Sequence, residues 1–155
     1  MDKVNRIIFV CKAGTLRAPM AAAIFAQIPL NFQVDIMSRG LIVLMPEPLN
    51  QKVEAILISN NLALDNYSSR QLEAEDIIEG TIIITFSSKL RDKIAQTFEY
   101  EEVYVLTELV GNELEILDPY GESVQMYGLC FETMQNSLKD LAIRLNSSNG
   151  RLVNE

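Results

Sequence analysis

Two short blocks of this sequence, "RIIFV" from Arg6 to Val10 and "TIIITF" from Thr81 to Phe86, constrain its fold more than any other feature. Each is apolar at odd and even positions alike, so neither face of such a strand can be left in water. The second block is rich in β-branched residues, which suit a pleated sheet. Strands of this kind sit inside a mostly parallel sheet with helices on both faces.

The remaining pattern alternates strand and helix. Val4–Val10 reads as the first strand and Pro19–Ile28 as a helix, with Pro19 in the first turn, where its missing N–H is no loss. Phe32–Met37 reads as a second strand ending at Ser38-Arg39-Gly40. A helix follows from Leu49 to Ser59, with Leu49, Val53, Ile56 and Leu57 on one face. After the third strand, Thr81–Phe86, a helix over Ser87–Phe98 starts on a serine cap, and Val103–Leu106 forms a fourth strand. The last helix, Glu122–Leu145, carries Val124, Tyr127, Phe131, Met134, Leu138, Leu141 and Leu145 at helical spacing, a stripe that faces a core. Cys130 beside it reads as a small buried hydrophobe. These elements predict a three-layer α/β sandwich around a four-stranded parallel sheet, flavodoxin-like or Rossmann-like. Residues 1–146 are expected to form one domain and 147–155 a frayed tail.

With 155 residues, 48% of them apolar, the chain is long enough to bury one core. Its net charge of −8 argues against broad binding to nucleic acid or anionic membrane, though not against a local cationic pocket. No apolar run is long enough to span a bilayer, and no secretory leader opens the chain. Two cysteines suggest no disulfide framework, so the expected location is cytoplasmic. There is no histidine, so proton transfer must use Asp, Glu, Cys, Tyr or Lys. Ser-His and Cys-His mechanisms and His-ligated metals are eliminated.

In α/β sheets ligands bind beyond the carboxyl ends of the strands. The first strand ends there on Cys11, and a short loop (Lys12, Ala13, Gly14, Thr15, Leu16) leads to Arg17 at a helix start. Such a loop can aim several backbone N–H groups at one point, at the positive end of the helix dipole. Gly14 supplies the backbone freedom, and Arg17 a planar fork for two oxygens of a tetrahedral anion. A cysteine in that field is poised as a thiolate. The six-residue spacing alone is weak; its place between strand and helix strengthens it. "DPYG" adds Asp118 on a proline-stiffened turn, able to protonate a leaving oxygen and then activate water. Tyr120 offers an aromatic wall. Asp-Pro is also ordinary turn chemistry.

Together these residues resemble the low-molecular-weight protein tyrosine phosphatase family. The likeness spans nearly the whole chain, including Pro19-Met20-Ala21, Ser38-Arg39-Gly40, Ser69-Arg70-Gln71-Leu72, Asp76 and "DPYG". It implies a phosphate-binding loop after the first strand, Cys11 as nucleophile, Arg17 and the loop amides as phosphoryl holders, and Asp118 as acid and base. It implies no metal or other cofactor. It implies a phosphorylated protein substrate, either phosphotyrosine or, from Thr15, which resembles the arginine phosphatases, phosphoarginine. Met45, within "LIVLMPEPL", falls where relatives build a cleft wall, though that stretch also reads as a loop packed on the sheet. The chain is expected to be a monomer or weak dimer.

Two departures weaken the likeness. Ala13-Gly14 replaces a usual Gly-Asn, and Ala18 replaces a serine that supports the thiolate. Leu16 stands where many relatives carry a second cysteine. A weakened phosphoprotein- or oxyanion-binding module and a thiol-dependent arsenate reductase remain as alternatives. The first has no use for Asp118, and the second has only Cys130 as a relay. Lys12 and Arg39 read either as positive potential near the mouth or as solvated charges.

Overall fold

The structure is a computed structural model that describes residues 3–112 and 114–152. Its sheet contains β1 (Arg6–Cys11), β2 (Asp35–Gly40), β3 (Thr81–Thr85) and β4 (Val103–Val105), in the order β2-β1-β3-β4. Every pairing is parallel, with Ile7 opposite Ile36 on one side and Ile82 on the other. The expected four-stranded parallel α/β sandwich is the fold observed.

The two apolar blocks occupy the central strands β1 and β3, and successive residues enter different cores. Ile7, Phe9, Cys11, Ile82, Ile84 and Phe86 join the larger core, under α1 (Arg17–Ala26), α2 (Gln51–Ser59) and α5 (Val124–Ser147). Ile8, Val10, Ile83 and Val103 join the smaller one, packed with Ile94, Leu90 and Phe98 of α3 (Ser88–Phe98). Burying both faces is what a strand without polar alternation requires.

Some boundaries move. Helix α1 starts at Arg17 rather than Pro19, while β2 begins at Asp35 and runs through Ser38-Arg39-Gly40. Leu106–Leu109, read partly as strand, forms the short helix α4. A 3-10 turn covers Ala74–Asp76. Along α5 the stripe from Tyr127 to Leu145 is buried, but Val124 is 61% exposed, because it opens the helix beyond the edge of the core.

The expected frayed tail is a correction as far as Leu152. Helix α5 continues to Ser147; the Gly150 N–H then donates to the Leu145 carbonyl, and the Gly150 carbonyl accepts the Val4 N–H, both at 2.8 Å. Leu152 is 1% exposed. The polar residues that suggested fraying are partnered: the Asn146 side chain accepts from the Asn31 N–H at 2.8 Å and donates to the Pro29 carbonyl at 3.2 Å. Residues 153–155 lie outside the described residues. No helix among the described residues is long and apolar enough to cross a membrane.

Candidate active site

The loop between β1 and α1 is shaped by where its carbonyls go. The Cys11 and Lys12 carbonyls accept from Leu41 N–H (2.9 Å) and Ile42 N–H (3.0 Å), and the Thr15 carbonyl accepts from Asn50 N–H (3.0 Å). The Gly14 carbonyl accepts from the Tyr67 hydroxyl at 2.6 Å, and the Leu16 carbonyl from Met20 N–H at 3.2 Å. With the carbonyls tied to surrounding groups, the N–H groups of Lys12 through Arg17 find no protein acceptor among the described residues. Such a run of free donors at a helix N-terminus is a nest for an oxyanion.

Gly14 has φ +73°, and a Cβ there would stand 2.8 Å from the Gly40 nitrogen. Both the turn and the close approach therefore demand glycine. Cys11 is 5% exposed, and its Sγ accepts the Ala18 N–H of the first helical turn at 3.4 Å. Arg17 donates from Nη1 to the Ile116 carbonyl at 2.8 Å and stacks on Phe86, 5.5 Å from the ring centroid. Its other N–H groups have no protein partner among the described residues.

Asp118 reaches the same place on a loop anchored by Ile116 and Pro119, both buried. Its Oδ1 accepts the Tyr120 N–H at 3.1 Å, so the expected Asp-Pro turn is present as well, while Ser123 caps α5. Lys52 donates to the Glu122 carbonyl at 2.9 Å, tying this loop to α2.

A cavity of about 360 Å³ is lined by Cys11, Lys12, Ala13, Thr15, Leu16, Arg17, Glu47, Asp118 and Tyr120. Gly14 is buried behind it. Leu16 is 6% exposed with its side chain in the core, so it borders the cavity mainly through its backbone. Met45, 73% exposed, lines an adjoining hollow of about 400 Å³ that shares Lys12, Ala13 and Glu47 with the cavity. Larger hollows beside β4 and beside the α1–β2 turn contain no cysteine.

Arg39 lies away from the mouth, paired with Asp76 at 3.2 Å. Burial opposes ionisation of Asp76, but the Glu73 N–H and Arg39 outweigh it and hold the carboxyl below its usual range. Burial pushes the Cys130 thiol up to about 11, with Arg17 opposing and Asp118 adding, so at neutral pH it is no nucleophile.

Three residues were not singled out in the sequence. Glu47 lies within "LIVLMPEPL", the stretch expected as cleft wall or as a loop packed on the sheet, where only Met45 drew attention. Tyr67 and Asn50 lie far along the chain from the loop they brace. Burial, with Cys11 adding and Ser38 and Arg39 opposing, pushes the Tyr67 hydroxyl up, keeping it protonated as a donor.

Residues 6–151 match the family model described as low molecular weight phosphotyrosine protein phosphatase. A low molecular weight protein-tyrosine-phosphatase, PtpB of Staphylococcus aureus, is 30% identical over 88% of this chain and 98% of its own length. A protein-arginine-phosphatase of Bacillus subtilis is 29% identical over 90% of this chain and 95% of its own. Among solved structures, the arginine phosphatase YwlE, as a cysteine-to-serine mutant with a phosphorylated active-site serine, superposes with a TM-score of 0.85 at 29% identity. That match covers 96% of this chain and 99% of the other. With the match running from the first residue of β1 to beyond the end of α5, the chain belongs to the low molecular weight phosphotyrosine protein phosphatase family.

Proposed function

We propose that the chain is a cysteine-dependent protein phosphatase acting on phosphotyrosine through a cysteinyl-phosphate intermediate. One observation carries the reading: a single cavity gathers Cys11, Arg17 and Asp118 around unpartnered loop amides. The amides and Arg17 hold the phosphoryl oxygens while Cys11 Sγ attacks phosphorus. The S–P bond forms as the P–O bond breaks, and Asp118 delivers its proton to the departing phenolic oxygen. Asp118 then takes a proton from water, which attacks phosphorus and releases phosphate and the thiolate. Tyr120 walls the cleft, and Met45 borders its extension. The substrate is a phosphorylated protein met in the cytoplasm by a monomer or weak dimer.

Phosphoarginine is the second reading. Thr15 lines the cavity, a small polar side chain that leaves room for a guanidinium leaving group, and a relative over 90% of the chain is named a protein-arginine-phosphatase. An arsenate reductase would need a second reactive thiol, a role for which buried Cys130 is unsuited.

Hydrolysis of p-nitrophenyl phosphate between about pH 5 and 8 tests the reading in the working range of a carboxylate acid. The wild type should turn over and Cys11→Ser should not. Asp118→Asn should slow a phosphotyrosine peptide by about 10²–10⁴-fold. A wild type that binds phosphate without turning over any ester would be a receptor rather than an enzyme.

A further inference from the structure

Four charged side chains line the catalytic cavity: Lys12, Arg17, Glu47 and Asp118. Arg17 and Asp118 have work in the proposed reaction, and Lys12 is drawn to a bound phosphoryl dianion. Glu47 is the charge that does not fit. A carboxylate beside a dianion raises its energy. A carboxylate against the face of a phosphotyrosine ring meets the negative side of the ring quadrupole. Neither ligand gives it a favourable partner.

Its position is nevertheless built. The Glu47 N–H donates to Ser69 Oγ at 2.9 Å, and its carbonyl accepts the Ser69 N–H at 2.8 Å. Ser69 is 1% exposed and lies next to Arg70, whose carbonyl accepts the Gly40 N–H at 2.9 Å. The backbone thus fixes residue 47 at the cavity wall, where the cavity meets the neighbouring hollow. Glu47 is solvent-exposed and its carboxylate makes no hydrogen bond or ion pair among the described residues, so it is open to a ligand that enters the cavity.

We infer that Glu47 is a specificity-determining residue whose carboxylate accepts N–H groups from the guanidinium of a phosphoarginine side chain held in the cavity. A guanidinium phosphorylated on one nitrogen keeps donors on the others, in a planar fork that matches a carboxylate. With phosphorus over Cys11 and Asp118 engaged as the acid, Glu47 is the other carboxylate lining the same cavity to meet those donors; a tyrosine ring presents none. The inference rests on the phosphatase reading and decides between its two substrates.

The test compares Glu47→Gln with wild type on a phosphoarginine peptide, a phosphotyrosine peptide and p-nitrophenyl phosphate. Because the native carboxylate has no protein partner, the amide should leave the melting temperature in place. The expected result is opposite movement. kcat/KM for phosphoarginine falls about tenfold, the scale of one lost charge-assisted hydrogen bond. kcat/KM for the two aryl phosphates rises about two- to threefold as a repelling charge is removed. Glu47→Asp should recover part of the phosphoarginine rate. Rates that move together on all three substrates, or do not move, overturn the inference and leave the phosphatase reading standing. A wild type inactive on all three while still binding phosphate overturns both.

Discussion

At position 14 an asparagine side chain has no room, since even a Cβ would meet the Gly40 backbone. The chain therefore braces its loop from outside: the Tyr67 hydroxyl donates to the Gly14 carbonyl and pairs with Ser38 Oγ at 2.9 Å. Ala18 is a different case. Its N–H already reaches Cys11 Sγ, but its methyl group cannot add a second donor, and the residue is fully buried. A hydroxyl there would give the thiolate a further hydrogen bond, worth about 1.5–3 kcal/mol to a charged acceptor. Ala18→Ser should therefore raise kcat on p-nitrophenyl phosphate about tenfold. Equal rates would mean that the buried hydroxyl turns away from sulfur.

The elements around the loop act as clamps. Asn50 caps α2 by accepting from Lys52 N–H (2.9 Å) and Val53 N–H (3.1 Å), and its own N–H holds the Thr15 carbonyl. The acid loop is tied to α1 through Arg17 and to α2 through Lys52, so the base of the cavity and its acid share supports. The segment bearing Tyr67 has no regular structure, yet it fixes both the phosphate loop and the end of β2. Tyr67→Phe removes two neutral hydrogen bonds, to the Gly14 carbonyl and with Ser38 Oγ, each worth about 1 kcal/mol. It should lower kcat/KM by about three- to tenfold, through weaker phosphate binding, with little change in the pH profile. Inhibition by inorganic phosphate, measured beside turnover, checks this directly.

For the whole molecule, the Arg39–Asp76 pair joins β2 to the turn that precedes β3. Because the folded carboxyl is held below the ordinary aspartate value of 3.8, the pair stabilises the fold above that pH. That stabilisation is lost as pH falls through the lower folded value. Asp76→Asn should therefore cost about 1–3 kcal/mol at pH 7, and the gap to wild type should close in strong acid. Urea unfolding at pH 7 and again in strong acid, below the lowered value of the folded carboxyl, checks the sign. At the other side of the fold, Gly150 holds Val4, and its backbone at φ +84° packs so closely on Phe32 that a Cβ would stand 2.7 Å from the ring.

The sequence by itself determined the layered architecture and the place of the loop, because those follow from local periodicity. Ile7–Val10 and Thr81–Phe86 are apolar on both faces, and Cys11, Gly14 and Arg17 lie within one turn of chain. It also carried Asp118, since proline and glycine mark the turn whatever the fold. What only the tertiary structure decided depends on contacts between distant residues: Tyr67 reaches Gly14 across 53 positions, and Arg17 reaches Ile116 across 99. No periodicity encodes such pairs, so Arg39 read either as positive potential near the mouth or as a solvated charge, and it is half of an ion pair with Asp76. The tail read as frayed because polar composition does not reveal that Asn146 has backbone partners waiting in the α1–β2 turn. Nothing in "LIVLMPEPL" set Glu47 apart from its neighbours, because a carboxylate in a loop acquires a role only from the cavity it borders.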